Sequence, residues 1–226
     1  ACLPGRYCTE GASTARTCPA GSYSSRTDLA SSGACTLASL GAFTSAGSVA
    51  VTPCSPGSYS GSQGASGCTP CLAGNYQAGS GQSACDVCPP GRYCIAGASV
   101  ALLCPARTYR AEAGATREAD CTQCPPGSAC TAGSVAHAQC AAGTYSPAGA
   151  ASCTVCAAGT YQGSAGQSIC AACPRGSACS RGAMQPATCI PGTFAASTGA
   201  AVCTKCAAGT FQGDDGATAC KPCTAG

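Results

Sequence analysis

The sequence predicts a fold class of small disulfide-rich repeats: an elongated rod of short β-hairpin and turn modules, with almost no helix. Three observations lead there. Cysteine accounts for 25 of 226 residues, a density at which a disulfide scaffold is the expected class. Leu, Ile, Val and Phe together number only 20, too few to offset the cost of ordering the backbone by burial alone. One short unit, a cysteine followed by a glycine and then an aromatic, recurs from end to end. Cross-links must therefore supply the order that a hydrophobic core supplies elsewhere, and thiols at this density form disulfides only in an oxidising compartment.

The short unit runs Cys, two residues, usually Gly, one residue, an aromatic, a polar Gly/Ser loop, Cys, two residues, and the next Cys. Cys54 to Cys68, Cys71 to Cys85, Cys156 to Cys170 and Cys206 to Cys220 are copies. A longer unit carries two extra cysteines and appears at Cys2/8/18/35, Cys88/94/104/121, Cys124/130/140/153 and Cys173/179/189/203. The resulting modules are 2–35 (long), 36–53 (degenerate, without a disulfide), 54–87 (two short) and 88–123 (long). Then come 124–172 and 173–222, each a long plus a short unit, and the start of a further module at 223–226. Both ends read as cut within a repeat.

Gly and Pro after each opening cysteine, as in Cys-Pro-Pro-Gly at 88–91 and 124–127, set tight reversals and disfavour helix. All eleven aromatics, Tyr7 through Phe211, fall five residues after a module-opening position. A ring placed so regularly beside a cystine reads as a plate covering it. The alternative is a stripe of exposed rings that stack on sugars or partners.

Connectivity follows from the degenerate copy. Ala38 stands where an opening Cys is due and Val51 where the closing Cys is due, while Gly41 and Phe43 keep their slots. Two cysteines lost together point to a bond between opener and closer. The short units then pair Cys54–Cys68, Cys71–Cys85, Cys156–Cys170 and Cys206–Cys220. In the long units the same rule gives Cys18–Cys35, Cys104–Cys121, Cys140–Cys153 and Cys189–Cys203, leaving Cys2–Cys8, Cys88–Cys94, Cys124–Cys130 and Cys173–Cys179. Four cysteines allow three pairings, so connectivity inside the long units stays open. Cys223 is left unpaired.

Composition excludes several functions. Eleven Lys plus Arg against eight Asp plus Glu are spread without a basic stripe, so no nucleic-acid partner is expected. The most apolar stretch, Ala98 to Cys104, is too short to span a bilayer, so direct membrane insertion is not expected.

Catalysis finds no repeated acid–base pair, and the single histidine, His137, has no triad around it. No catalytic role, metal or cofactor is expected. Zinc is the sharpest rival, because Cys68-Thr-Pro-Cys71 with Cys85-Asp-Val-Cys88 outlines a ribbon, repeated at 153/156/170/173 and 203/206/220/223. Ala38 and Val51 would leave one such site half empty. Cys-x-x-Cys redox pairs lack the surrounding α/β pattern. Asp214-Asp215 reads as a solvated loop tip rather than a calcium site. The sole Asn75 heads no N-glycosylation motif, whereas Thr52-Pro53, Ser55-Pro56, Thr69-Pro70 and Ser146-Pro147 are candidates for O-linked sugar or proline modification.

The pattern C-x-x-C-P-x-G-x-Y, as in Cys85-Asp-Val-Cys-Pro-Pro-Gly-Arg-Tyr93 and Cys121-Thr-Gln-Cys-Pro-Pro-Gly, resembles the ephrin-receptor-like cysteine-rich repeat. That repeat is similar in style to tumour-necrosis-factor-receptor and EGF-like modules. The Ala/Gly/Ser/Thr-rich filling resembles green-algal versions, among them mastigoneme (flagellar hair) glycoproteins. The resemblance implies a structural subunit of an extracellular filament, surface appendage or wall at the cell or flagellar surface. Its expected partners are copies of itself and a glycosylated axial or matrix protein. The alternatives are a receptor or adhesin ectodomain and a zinc-binding interaction protein.

Overall fold

The computed structural model describes residues 2–223. Beyond Cys223, the module start expected at 223–226 lies outside the described residues. The described residues form thirteen two-stranded antiparallel hairpins, each strand two residues long, and among them short 3-10 turns occur only at Ser32–Ala34 and Glu118–Asp120. The almost helix-free, disulfide-rich hairpin architecture is thus the one the sequence predicts. It divides into two compact units: Ala1–Cys104 with Arg110–Cys121, and Pro105–Tyr109 with Thr122–Gly226.

The repeating element is one hairpin. Hairpins open at residues 2, 18, 38, 54, 71, 88, 104, 124, 140, 156, 173, 189 and 206. Each four-cysteine stretch contains two of them; 2–35 holds Arg6–Tyr7 paired with Arg16–Thr17, then Ser22–Tyr23 paired with Thr36–Leu37. Three residues after the opener a glycine takes a positive φ in every described first turn except that of Cys104, where Arg107 stands. In seven copies the Ser or Thr that follows donates its hydroxyl back across the turn. Thr144 Oγ1 reaches Ala141 O at 2.6 Å, Thr160 reaches Ala157 O at 2.7 Å, and Ser58 reaches Ser55 O at 2.8 Å. Hydroxyl residues suit this position because their side chain satisfies a local carbonyl.

Backbone hydrogen bonds join each hairpin to the next. In the first unit the turn N–H groups of Gly5, Gly21, Gly41, Gly57, Gly74 and Gly91 donate to the carbonyls of Ser24, Thr44, Ser60, Gln77, Cys94 and Arg110, at 2.7–2.9 Å. In the second unit Arg107, Gly127, Gly143, Gly159, Gly176 and Gly192 donate to Cys130, Ser146, Gln162, Cys179, Ala195 and Gln212, at 2.7–3.0 Å. A second rung returns to the opener's carbonyl, as from Gly81 to Cys54 at 2.8 Å and from Gly166 to Cys140 at 2.8 Å. Both ladders use main-chain atoms only, so side-chain identity can drift without breaking them.

The turn glycine also faces the hairpin after next. A Cβ on Gly74 would lie 2.8 Å from Gly114 O, and one on Gly143 would lie 2.5 Å from Gly182 O. Two non-glycines stand in such slots with positive φ: Arg107 at 82° in the first turn and Asp28 at 60° in the second. Asp28 compensates, since its Oδ1 accepts the Cys2 N–H at 2.7 Å.

Among the described residues no aliphatic core forms. The buried apolar residues are cysteines and alanines, plus Leu29, while Leu72, Ile169 and Val202 are at least 70 % exposed. Burial follows the sulfur.

Gly74→Ala and Gly143→Ala should each lose about 2 kcal/mol or more, from a non-glycine at positive φ and a crowded carbonyl. Arg107→Gly should gain up to about 1 kcal/mol by relieving the same strain. Denaturant midpoints measured without reductant check both signs.

Candidate functional site

Chemistry-bearing side chains in this chain are overwhelmingly cystine sulfurs, so the site begins with them. Eight bridges close a whole hairpin loop: Cys18–Cys35, Cys54–Cys68, Cys71–Cys85, Cys104–Cys121, Cys140–Cys153, Cys156–Cys170, Cys189–Cys203 and Cys206–Cys220. Four close only the first turn: Cys2–Cys8, Cys88–Cys94, Cys124–Cys130 and Cys173–Cys179. Cα–Cα separations run from 5.6 to 6.1 Å, the normal span of a disulfide.

The two kinds of bridge exclude each other. Each opener's sulfur can meet a partner six residues on or one at the loop's end. Where the near slot is Cys8, Cys94, Cys130 or Cys179, the far slot holds Ala15, Ala101, His137 or Pro186. Where the far slot is cysteine, the near slot holds a residue such as Ser60, Gln77 or Ser146. Ser146 shows how close that near slot lies: its Oγ sits 3.3 Å from Cys140 Sγ and donates to Ser128 O at 2.8 Å. This alternation is present in the sequence but invisible while the four-cysteine stretch is taken as one module. One hairpin, at 38–53, has neither bridge.

The rings are half-buried, apart from Phe211 at 51 % exposure. Tyr7 packs on Cys18, Leu29 and Cys35, and Tyr76 packs on Cys88, Cys94 and Ala98. These rings therefore cover a cystine of the following hairpin rather than their own. Two open hollows recur at one register. One of about 230 Å³ is lined by Tyr59, Leu72, Asn75, Ala84 and Cys85. The other, of about 310 Å³, is lined by Tyr145, Ala157, Thr160, Ile169 and Cys170. Neither contains a carboxylate, amine, imidazole or guanidinium.

Other candidates from the sequence stay apart. His137 places Nδ1 3.1 Å from Ser128 Oγ and its ring edge-on to Tyr109 at 5.4 Å. Asp214 lies 3.9 Å from Lys221 Nζ across an exposed loop. The sulfurs of the zinc-ribbon outline at 68/71/85/88 belong to three separate cystines and are not thiolates. The outline at 153/156/170/173 is likewise divided among three. In the third outline, Cys203, Cys206 and Cys220 are bonded and Cys223 is free and exposed. Among the modification candidates Thr52, Ser55 and Thr69 are exposed, whereas Ser146 is fully buried and hydrogen-bonded.

A sequence reading misses one polar feature. Asp120 accepts from the Thr116 N–H at 2.7 Å, the Thr116 hydroxyl at 2.8 Å and the Arg117 N–H and guanidinium at 3.2 Å each. These hydrogen bonds, the Thr116 backbone bond foremost, lower its pKa from 3.8 to about 2. The turn at 116–120 is thus an ordering device for the 20-residue hairpin opened by Cys104. An acidic residue four after a threonine was its available signal.

A family model described as "Tyrosine-protein kinase ephrin type A/B receptor-like" matches residues 57–101, 143–189 and 192–226, more than half of the chain. The chain belongs to the ephrin-receptor-like family. Its matched segments run over the hairpins described above. Together with its twelve cystines, membership makes the chain a repeat domain of extracellular type. Among the described residues no helix is long and apolar enough to cross a membrane. No curated protein matches the chain.

Two outcomes are expected. Peptide mapping without reductant should return the twelve bridges and one alkylated thiol, at Cys223; zinc-bound or free thiols at 68, 71, 85 and 88 would contradict it. The Asp120 carboxylate, held below its ordinary range, stabilises its turn fully above about pH 4. That contribution should fade as pH falls towards about 2. Hydrogen exchange of residues 112–121 against pH would show it, and Asp120→Asn should remove the pH dependence.

Proposed function

We propose that this chain is a structural segment of an extracellular filament, surface appendage or wall, of mastigoneme-like kind, exposed at the cell or flagellar surface and carrying out no catalytic step. The observation that carries this reading is the main-chain ladder. The same two rungs recur from hairpin to hairpin within each unit while exposed side chains vary freely. Such a chain conserves spacing and covalent closure rather than a particular set of reactive groups. That is what a material needs and what a single binding pocket does not. Stapled loops also resist proteases, which attack through local opening. Its partners on this reading are copies of itself and a glycosylated axial or matrix protein, with exposed Thr52, Ser55 and Thr69 available for sugar.

A second reading, a receptor or adhesin ectodomain, is favoured by the uncharged hollows beside Tyr59 and Tyr145. They could receive an apolar or sugar ligand presented by another cell. Zinc binding has the least support, since its would-be ligands are drawn into cystines.

Immunogold electron microscopy of the native source separates the first two. Label along ordered fibres is the expected result. Label confined to dispersed membrane particles would replace the filament by the receptor. Metal analysis of the purified chain should find no stoichiometric zinc.

A further inference from the structure

We infer that the hairpin at 38–53 is a built-in extensible link, the one described repeat able to open over its whole length and reclose while every cystine stays intact. It holds the place of a stapled hairpin but lacks both staples: Ala38 replaces the opener, Thr44 the near partner and Val51 the far partner. Hydrogen bonding to its neighbours is nevertheless complete. Gly21 donates to Thr44 O at 2.9 Å and Gly64 to Ala38 O at 2.9 Å, while Gly41 and Thr44 donate to Ser60 O and Ala65 O at 2.9 and 3.1 Å. Ala38 is fully buried and Ala42 and Thr44 nearly so. The hairpin is therefore ordered, and held only by contacts that break reversibly.

Its interior is also the weakest in polar terms. Thr44 Oγ1 is the one buried side-chain oxygen among the described residues that lacks a hydrogen-bond partner. That hydroxyl occupies the slot where four other hairpins put a cystine sulfur. An unsatisfied buried hydroxyl favours the open state, in which water can reach it.

The mechanical consequence follows from connectivity. A cystine shields the residues it encloses from tension, so only the chain between consecutive cystines can lengthen. Those stretches are three residues at joints such as Cys68 to Cys71, and ten where a first-turn bridge precedes, as from Cys8 to Cys18. From Cys35 to Cys54 the stretch is nineteen, about 65 Å when drawn out at about 3.4 Å per residue. Closing a loop of this size by a disulfide makes opening roughly 100-fold rarer. The unstapled hairpin should therefore open about that much more often than its neighbours. The inference holds whatever the array attaches to, so it can fail without touching the filament reading.

Single-molecule pulling of the whole chain without reductant tests it. Besides the shorter ten-residue extensions after Cys8, Cys94, Cys130 and Cys179, the wild type should show one longer step, about 65 Å less the folded Cys35-to-Cys54 span, which recovers on relaxation. Ala38→Cys/Val51→Cys should abolish that step, leaving stretches of three residues. Ala38→Cys/Thr44→Cys should shorten it to the ten-residue class. No step of that longer class in the wild type, or the same long step in both oxidised variants, would overturn the inference. Hydrogen exchange on the unmodified chain gives a test that needs no variant. Amides of 38–54 should exchange roughly 100-fold faster than their counterparts in 54–71, and equal protection would refute the link.

Discussion

Everything in this fold depends on covalent closure of a very small loop. A hairpin with two-residue strands buries almost nothing and is not stable by itself in water. Tying its ends within 5.6–6.1 Å removes much of the freedom of the unfolded loop, worth about 3 kcal/mol for loops of this length in the chain-entropy picture. The sulfurs then serve twice. Once bonded, they are also the apolar atoms that the preceding hairpin's ring covers, as Tyr7 covers Cys18–Cys35. This explains how the chain can leave Leu72, Ile169 and Val202 in solvent and still be ordered.

The second constraint is the main-chain ladder, and it decides which residues cannot vary. A turn whose N–H must reach the next hairpin, and whose Cα must pass the carbonyl of the one after, leaves no room for a side chain at Gly74 or Gly143. Positions outside that contact are free. The two exceptions separate conformation from crowding. Asp28 sits at positive φ with a carboxylate that caps the Cys2 N–H. Arg107 sits at φ 82° with an exposed side chain, strained but not replaced.

The sequence made the period, the absence of helix and the ring register legible, because cysteine, glycine and aromatic residues are tied to the backbone by chemistry. The size of the repeat was less legible. Cys2 to Cys35 looks like one module because four cysteines draw the eye. The glycines at Gly5 and Gly21 and the rings at Tyr7 and Tyr23 already mark two hairpins. Which cystine a ring covers could not be read, since the neighbour comes from the following turn and no residue type announces it. Nor could the ladder, whose donors and acceptors are carried by every residue alike. The hollows beside Tyr59 and Tyr145 are hidden for the same reason: their walls come from two consecutive hairpins.

The unstapled hairpin shows why cysteines vanish from such an array in pairs. A single cysteine at 38, 44 or 51 would be a thiol lying next to cystines on either side, and a thiolate so placed attacks neighbouring disulfides. The register of bridges would then be free to shuffle along the chain. Losing both partners removes that hazard at the cost of one closure, and the main-chain ladder keeps the hairpin in line without it. Ala38 fills the opener's place with no exposed surface, and its carbonyl still accepts the Gly64 N–H at 2.9 Å. The array can therefore accommodate one uncrosslinked repeat, because its order along the chain and its closure around each loop rest on different bonds.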